Sequence, residues 1–164
     1  MILVTVGTHE DPFDRLLIAA DQLKATGLVD EPVTIQAGVS NTATPHCTQH
    51  EYLFYEDLQE LMREARIIIT HGGPATIFEA LAMGKIPIVM PRRAKSSEHV
   101  DDHQVRFCRG LEHRVLVAWT EQDLPSLVDE YEERIQTLAK PEVSQQNRDS
   151  FARRLHDLCL ELLQ

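Results

Sequence analysis

The residues with the clearest chemical purpose lie in the run Thr70-His71-Gly72-Gly73-Pro74-Ala75-Thr76-Ile77-Phe78-Glu79. Two adjacent glycines let a backbone approach an anion closely, and a proline after them presets the dihedral of a first helical residue, where its missing N–H costs nothing. The free N–H groups and the positive end of such a helix then face whatever lies above the turn. Thr76 could add a hydroxyl donor to a phosphate oxygen. Glu79 lies about one turn further in; a second negative charge there would repel a phosphate, yet a carboxylate can accept two hydrogen bonds from a ribose diol. The pattern points to a nucleotide with its sugar over the helix. A Gly-Gly-Pro turn also serves as plain chain reversal, and Glu79 as a solvated helix residue, so the turn alone leaves both readings open.

The elements around the turn must place it. Ile67-Ile68-Ile69 ahead of it reads as a buried parallel strand. The chain starts with another apolar strand, Met1 to Val6, which ends in Gly7-Thr8-His9-Glu10. A helix is expected from about Asp11 or Pro12, with Phe13, Leu16, Leu17, Ala20 and Leu23 at helical spacing and Gly27 as its stop. Residues 33–38 read as a second strand, 40–49 as a loop, 52–55 as a short strand and 56–64 as an amphipathic helix. After the central turn come a short strand at 87–91, a loop at 92–97, a helix at 98–111 and a strand at 115–119. Two helices, 121–139 and 143–163, close the chain with Lys140-Pro141 as the break.

This alternation predicts one α/β domain over residues 1–164, a Rossmann-like, doubly wound parallel sheet. Ligands of such sheets bind at the carboxyl ends of the strands, where the strand order reverses. With the order 3-2-1-4-5-6, the Gly7-Thr8 and Gly72-Gly73 turns would lie side by side and clamp a diphosphate. The first turn lacks G-x-G-x-x-G, and the second strand ends Gln36-Ala37-Gly38 with no acid for an adenosine ribose, which disfavours a hydride-transfer enzyme.

Composition excludes other classes. A net charge of -10 opposes nucleic-acid binding, and the one dense basic run, Arg92-Arg93-Ala94-Lys95, is too short to reverse it. That run reads either as a contact for anionic head groups or an acceptor diphosphate, or as a solvated loop. Cys47, Cys108 and Cys159 are odd in number and irregularly spaced, and read as reduced thiols of a cytoplasmic protein. No basic leader precedes the first strand and no apolar run is long enough to cross a bilayer, so membrane association is expected only through a partner or a surface.

Three motifs in this order carry a resemblance: Val4-Thr5-Val6-Gly7-Thr8-His9 with Pro12-Phe13-Asp14-Arg15-Leu16; the Thr70 to Glu79 turn; and Pro91-Arg92-Arg93 followed by Glu98-His99-Val100-Asp101-Asp102-His103-Gln104. From residue 1 to about Val117 the chain resembles the soluble, PssE-type subunit of two-component UDP-sugar transferases. Those are similar to the C-terminal, donor-binding half of glycosyltransferase family 28, whose two-lobed fold is called GT-B. Ser96-Ser97 departs from the glycine often found there, which leaves the path of that loop open.

The resemblance implies the following assignments. Gly7, Thr8, Gly72 and Gly73 would hold the donor diphosphate, with His71 and the Thr76 hydroxyl assisting. Glu79 would bind the ribose, Phe54 and Tyr55 the uracil, and His103 and Gln104, with Asp102, the donor sugar. The activity implied is inverting transfer of a hexose-type sugar, with helix N-termini rather than a metal stabilising the leaving UDP. No cofactor is expected beyond the UDP-sugar substrate. No metal is expected either, since Asp101-Asp102-His103 reads as a helix start rather than a ligand set. His9 is a candidate general base and equally an orienting or capping residue. One lobe needs another, so the resemblance implies a membrane-anchored partner that binds a polyprenyl-diphosphate-linked sugar at the cytoplasmic face, in exopolysaccharide, capsule or lipid-linked oligosaccharide synthesis. The stripe Phe151, Leu155, Leu158 and Leu162 on the 143–163 helix, widened by Cys159, Leu160 and Leu163, could meet that partner, a second copy of the chain, or simply its own domain. Two other classes remain open: a non-catalytic nucleotide-sugar-binding subunit, and an interaction subunit whose glycine turns bind nothing.

Overall fold

Alternate residues of the central strands face opposite sides of one sheet, and both sides are apolar, which is the pattern of a parallel sheet covered by helices on both faces. The computed structural model describes residues 1–138. The strands are β1 (Ile2–Thr5), β2 (Val33–Gln36), β3 (Thr48–His50), β4 (Ile67–His71), β5 (Ile88–Met90) and β6 (Leu116–Val117). They form a parallel sheet in the order β3-β2-β1-β4-β5-β6, the order under which the two glycine turns come side by side. Register places Thr5 between Gln36 and Thr70, so the carboxyl ends of β1 and β4 stand side by side where the winding reverses.

The helices are α1 (Asp14–Ala25), α2 (Tyr55–Glu64), α3 (Pro74–Ala82), α4 (His103–Leu111), α5 (Leu124–Asp129) and α6 (Tyr131–Ile135). Ile2, Val4, Ile67, Ile69, Ile88 and Met90 pack on one face against Leu16, Leu17 and Ala20 of α1 and Leu124, Leu127 and Tyr131 of α5 and α6. On the other face Leu3 and Ile68 meet Met62 and Ala80, and Val89 meets Ile77, Leu81 and Cys108. Burying a side chain of this kind contributes roughly 1.5–3 kcal/mol. Among the described residues no helix is long and apolar enough to cross a membrane.

Several boundaries differ from the sequence expectation. The third strand, Thr48–His50, begins inside the stretch 40–49 expected to be a loop, and Tyr52 to Phe54 instead lead into α2. All three β3 side chains are exposed, so this edge strand is held by backbone pairing to Thr34, Ile35 and Gln36 and shows no apolar signature. Helix α1 starts at Asp14, later than Asp11 or Pro12, because the Ser40 hydroxyl accepts the Phe13 N–H at 2.8 Å and keeps residues 7–13 as an open turn. Helix α4 starts at His103, not 98; before it lie a short 3₁₀ turn, Ala94–Ser96, and Ser97 at φ +55°. That left-handed backbone favours glycine. The expected helix 121–139 is broken at Glu130 into α5 and α6, with the Tyr131 hydroxyl donating to the Ile86 carbonyl at 2.7 Å. The expected 143–163 helix, its docking stripe and Cys159 lie outside the described residues.

The basic run is also corrected. Arg92 has no solvent exposure. Its guanidinium donates to the carbonyls of Val6, Asp11, Pro12 and Glu98 at 2.8–3.3 Å and lies over the Phe13 ring. Glu98, buried beside it, takes two hydrogen bonds from Arg15 and one from the Arg93 N–H. Arg92 therefore cannot meet a lipid head group. Removing the buried donor would leave several carbonyls unpaired at once. Arg92→Met is expected to lower unfolding stability by about 3 kcal/mol or more, read as the shift of a urea midpoint. Arg93→Met, at its half-buried neighbour, should stay within about 1 kcal/mol.

Candidate functional site

The two glycine turns meet across one side chain. His71 ends β4, is buried, and lies between them: a Cβ on Gly7 would approach its Cε1 to 2.5 Å, and one on Gly73 would overlap its Nε2. Gly7 also sits at φ +74°. Gly7 therefore requires glycine for space and for backbone freedom, and Gly73 for space alone. Thr5 Oγ1 accepts the Gly7 N–H at 3.2 Å and a hydrogen bond from Gln36 Nε2, while Gln36 Oε1 accepts the Leu53 N–H. The first turn is thus tied to the segment that enters α2.

The second turn opens onto α3. Gly73 is the N-cap, Pro74 the first helical residue, and no side chain caps the end. Gly72 plays a different part from Gly73. Its N–H donates to Gln104 Oε1 at 3.0 Å, and a Cβ there would lie 2.8 Å from Gln104 Cβ. The same Gln104 oxygen accepts the Arg92 N–H at 3.1 Å. Gln104 is buried, so its acceptor serves the turn and only its amide nitrogen is left without a partner among the described residues. The donors remaining for an anion are the N–H groups at the uncapped start of α3 and the half-buried Thr76.

The nucleoside candidates come together. The Tyr55 hydroxyl donates to Glu79 Oε1 at 2.8 Å, and Gln59 Nε2, one turn along α2, donates to the same oxygen. The Glu79 charge pushes the Tyr55 phenol up. Phe54 beside it is 80% exposed, an apolar ring left facing solvent. Gln59 was not singled out from sequence, although its i+4 spacing from Tyr55 puts both on one helix face. Thr8 is exposed at the first turn.

The remaining candidates join a chain of imidazoles. His9 Nδ1 accepts the Asp11 N–H at 3.1 Å, which in the neutral ring leaves the proton on Nε2. Its ring centroid lies 4.3 Å from that of His99, which lies 4.4 Å from that of His103. His103 Nδ1 contacts Asp101 Oδ1 at 2.6 Å. The His103 backbone N–H, and then its side chain, hold the Asp101 carboxyl down at about 2. Asp102 turns away: its Oδ1 accepts the Ala94 N–H at 2.9 Å. Sequence reading passed over His99 and Asp101 as site residues, although His-x-Asp-x-His was there to be read. It expected no convergent ligand set, whereas the potential donor atoms of His99, Asp101 and His103 lie within 4.8 Å of one another. Among the described cysteines, burial pushes Cys47 and Cys108 up to about 12, which leaves both as thiols.

Burial, reinforced by the Arg92 charge, pushes the His71 imidazole from 6.5 down to about 4. The unfolded chain takes up a proton between those values that the folded chain refuses. The stability His71 contributes in this way is complete above pH 6.5 and is lost as pH falls towards 4. The expected slope is up to about 1.4 kcal/mol per pH unit. Urea denaturation across this window should show a shallower slope for His71→Gln than for the parent chain.

Comparison with known proteins accords with this geometry. The glycosyltransferase family 28 C-terminal domain matches residues 1–158. A 59-residue stretch, 36% of this chain, is 36% identical to 14% of the UDP-N-acetylglucosamine–N-acetylmuramyl-(pentapeptide) pyrophosphoryl-undecaprenol N-acetylglucosamine transferase of Rhodospirillum rubrum. Among solved structures, the spinosyn forosaminyltransferase SpnP superposes with a TM-score of 0.63 at 20% identity, over 96% of this chain and 43% of that one. The glycotransferase of kitacinnamycin gives 0.58 at 19% identity, over 87% of this chain and 35% of that one. The chain spans less than half the length of each of these proteins, and at such identities the structures speak for the fold alone: a Rossmann-like lobe of the GT-B kind. With the match running from residue 1 to 158, the chain belongs to the glycosyltransferase family 28 C-terminal domain family.

Proposed function

We propose that this domain is the donor-binding lobe of an inverting glycosyltransferase that uses a UDP-sugar. The observation that carries the reading is the uncapped N-terminus of α3 at the reversal of strand order, with Glu79 on the same helix already joined to Tyr55. The diphosphate would take the N–H groups at the start of α3 and the Thr76 hydroxyl, with Gly7 and Thr8 on its other side. Gly72 would act indirectly, as the seat of Gln104. The ribose diol would go to Glu79, whose Oε2 is the oxygen not engaged by Tyr55 and Gln59. Uracil would lie over Phe54 and Tyr55. The Gln104 amide nitrogen and His103 would meet the donor sugar.

In such a reaction an acceptor hydroxyl attacks the anomeric carbon from the face opposite the phosphate. The bond from that carbon to the phosphate oxygen breaks, UDP leaves, and a base takes the hydroxyl proton. Positive helix ends placed where charge builds on the leaving oxygen would stabilise it without a metal at the diphosphate. With its Nδ1 occupied by the Asp11 N–H, His9 is arranged as a donor towards the site, which favours a base supplied by the second lobe. We place that lobe on a membrane-anchored partner holding a polyprenyl-diphosphate-linked acceptor, and the process in exopolysaccharide, capsule or lipid-linked oligosaccharide synthesis.

Calorimetric titration with UDP tests the donor site. Glu79→Ala should weaken UDP binding by about tenfold, the loss of a charged hydrogen bond. Transfer from a UDP-sugar panel, assayed with the partner present, tests catalysis. Binding without transfer would favour a non-catalytic nucleotide-sugar subunit, and no binding with or without the partner would overturn the reading.

A further inference from the structure

Residues 99, 101 and 103 present two imidazoles and a carboxylate at alternate positions of the bend that enters α4. His103 Nδ1 lies 2.6 Å from Asp101 Oδ1, and His99 Nδ1 lies 3.8 Å from the same oxygen. Zinc-type bonds of about 2.0–2.2 Å at tetrahedral angles put neighbouring ligand atoms about 3.3 Å apart. The two distances to Asp101 bracket that value, and all three donor atoms lie within 4.8 Å of one another, so side-chain movements alone would close the set on an ion. Asp101 and His103 are half exposed, which gives an ion its way in, while His99 is nearly buried and anchors the set. All three ligands come from five consecutive residues, so little chain entropy opposes closure. The His9 ring lies 4.3 Å from that of His99 and tilted to it, outside the set, so water would fill the fourth position.

We propose that His99, Asp101 and His103 form a binding site for one divalent transition ion of the zinc class. Imidazole donors favour such ions over magnesium and calcium, which take oxygen ligands. The surroundings oppose any divalent cation alike. Arg106 reaches Asp101 Oδ2 at 3.3 Å, and the positive end of α4 lies beside the set. Both repel an ion's charge, so the preference rests on the donor bonds to nitrogen. An ion bound here would withdraw His103 from any ligand lying over that helix. The site shares His103 with the donor reading, but its test stands apart from it, because the readout needs no nucleotide.

The test is a titration of the full chain, with any affinity tag removed, using Co²⁺ as a coloured probe and Zn²⁺ as competitor. Expected is one Co²⁺ per chain with the intense visible spectrum of a four-coordinate ion, displaced by equimolar Zn²⁺ and untouched by excess Mg²⁺. Asp101→Asn and His103→Ala, at half-exposed positions, should each weaken binding by at least about tenfold. His46→Ala, which removes a different His–Asp pair on the surface, should leave binding unchanged. No saturable binding up to about 100 μM ion, an affinity of only about 5 kcal/mol, would overturn the proposal. So would a coloured complex that survives both Asp101→Asn and His103→Ala.

Discussion

A guanidinium with no access to water must find acceptors inside the protein, and the geometry around the glycine turns follows from where Arg92 finds them. Its partners belong to three irregular segments: the end of β1, the approach to α1, and the bend before α4. None of these carbonyls has a place in the sheet or in a helix. A charged donor among them does for the loops what the ladder does for the strands. Glu98 supplies the counter-charge from within, and Arg15 ties that carboxylate to α1. The rim above the strand ends is therefore fixed although it is built from loops.

What could be read from sequence divides along physical lines. The central strands were legible because Ile67-Ile68-Ile69 and Met1 to Val6 are apolar on both faces; their order in the sheet comes from the structure. The edge strand was not, because Thr48, Gln49 and His50 are exposed and held through the backbone. Aromatic residues at 52–55 imitated a strand while standing at the surface. Starts of α1 and α4 were misjudged for one reason: helical spacing cannot show that Ser40 holds Phe13, or that Glu98 is drawn inward to Arg15. The Gly-Gly-Pro turn was legible as a helix start, since its chemistry is local. Arg92 was not, because nothing in a pair of adjacent arginines tells which one is buried.

The two sides of the crevice differ in how far they are satisfied. On the α3 side, the helix start is uncapped and Glu79 keeps an oxygen free. On the α4 side, Gln104 Oε1 serves two backbone N–H groups, Asp102 serves a third, and Asp101 serves His103 and Arg106. The first side is prepared for a ligand rich in acceptors and hydroxyls. The second is mostly engaged in its own scaffold and offers a few nitrogen groups. That asymmetry restricts how a ligand can lie across the domain.

The imidazole of His71 acts as a spacer of fixed thickness between the two glycine turns. Loops usually adapt their separation to what they hold, by small rotations spread over several residues. Here an aromatic ring, which does not compress, is seated against the backbone on both sides. The separation of the two turns is thereby set by a molecular dimension rather than by loop conformation. Any selectivity among ligands of equal width would then reside higher up, where side chains are exposed and can rearrange.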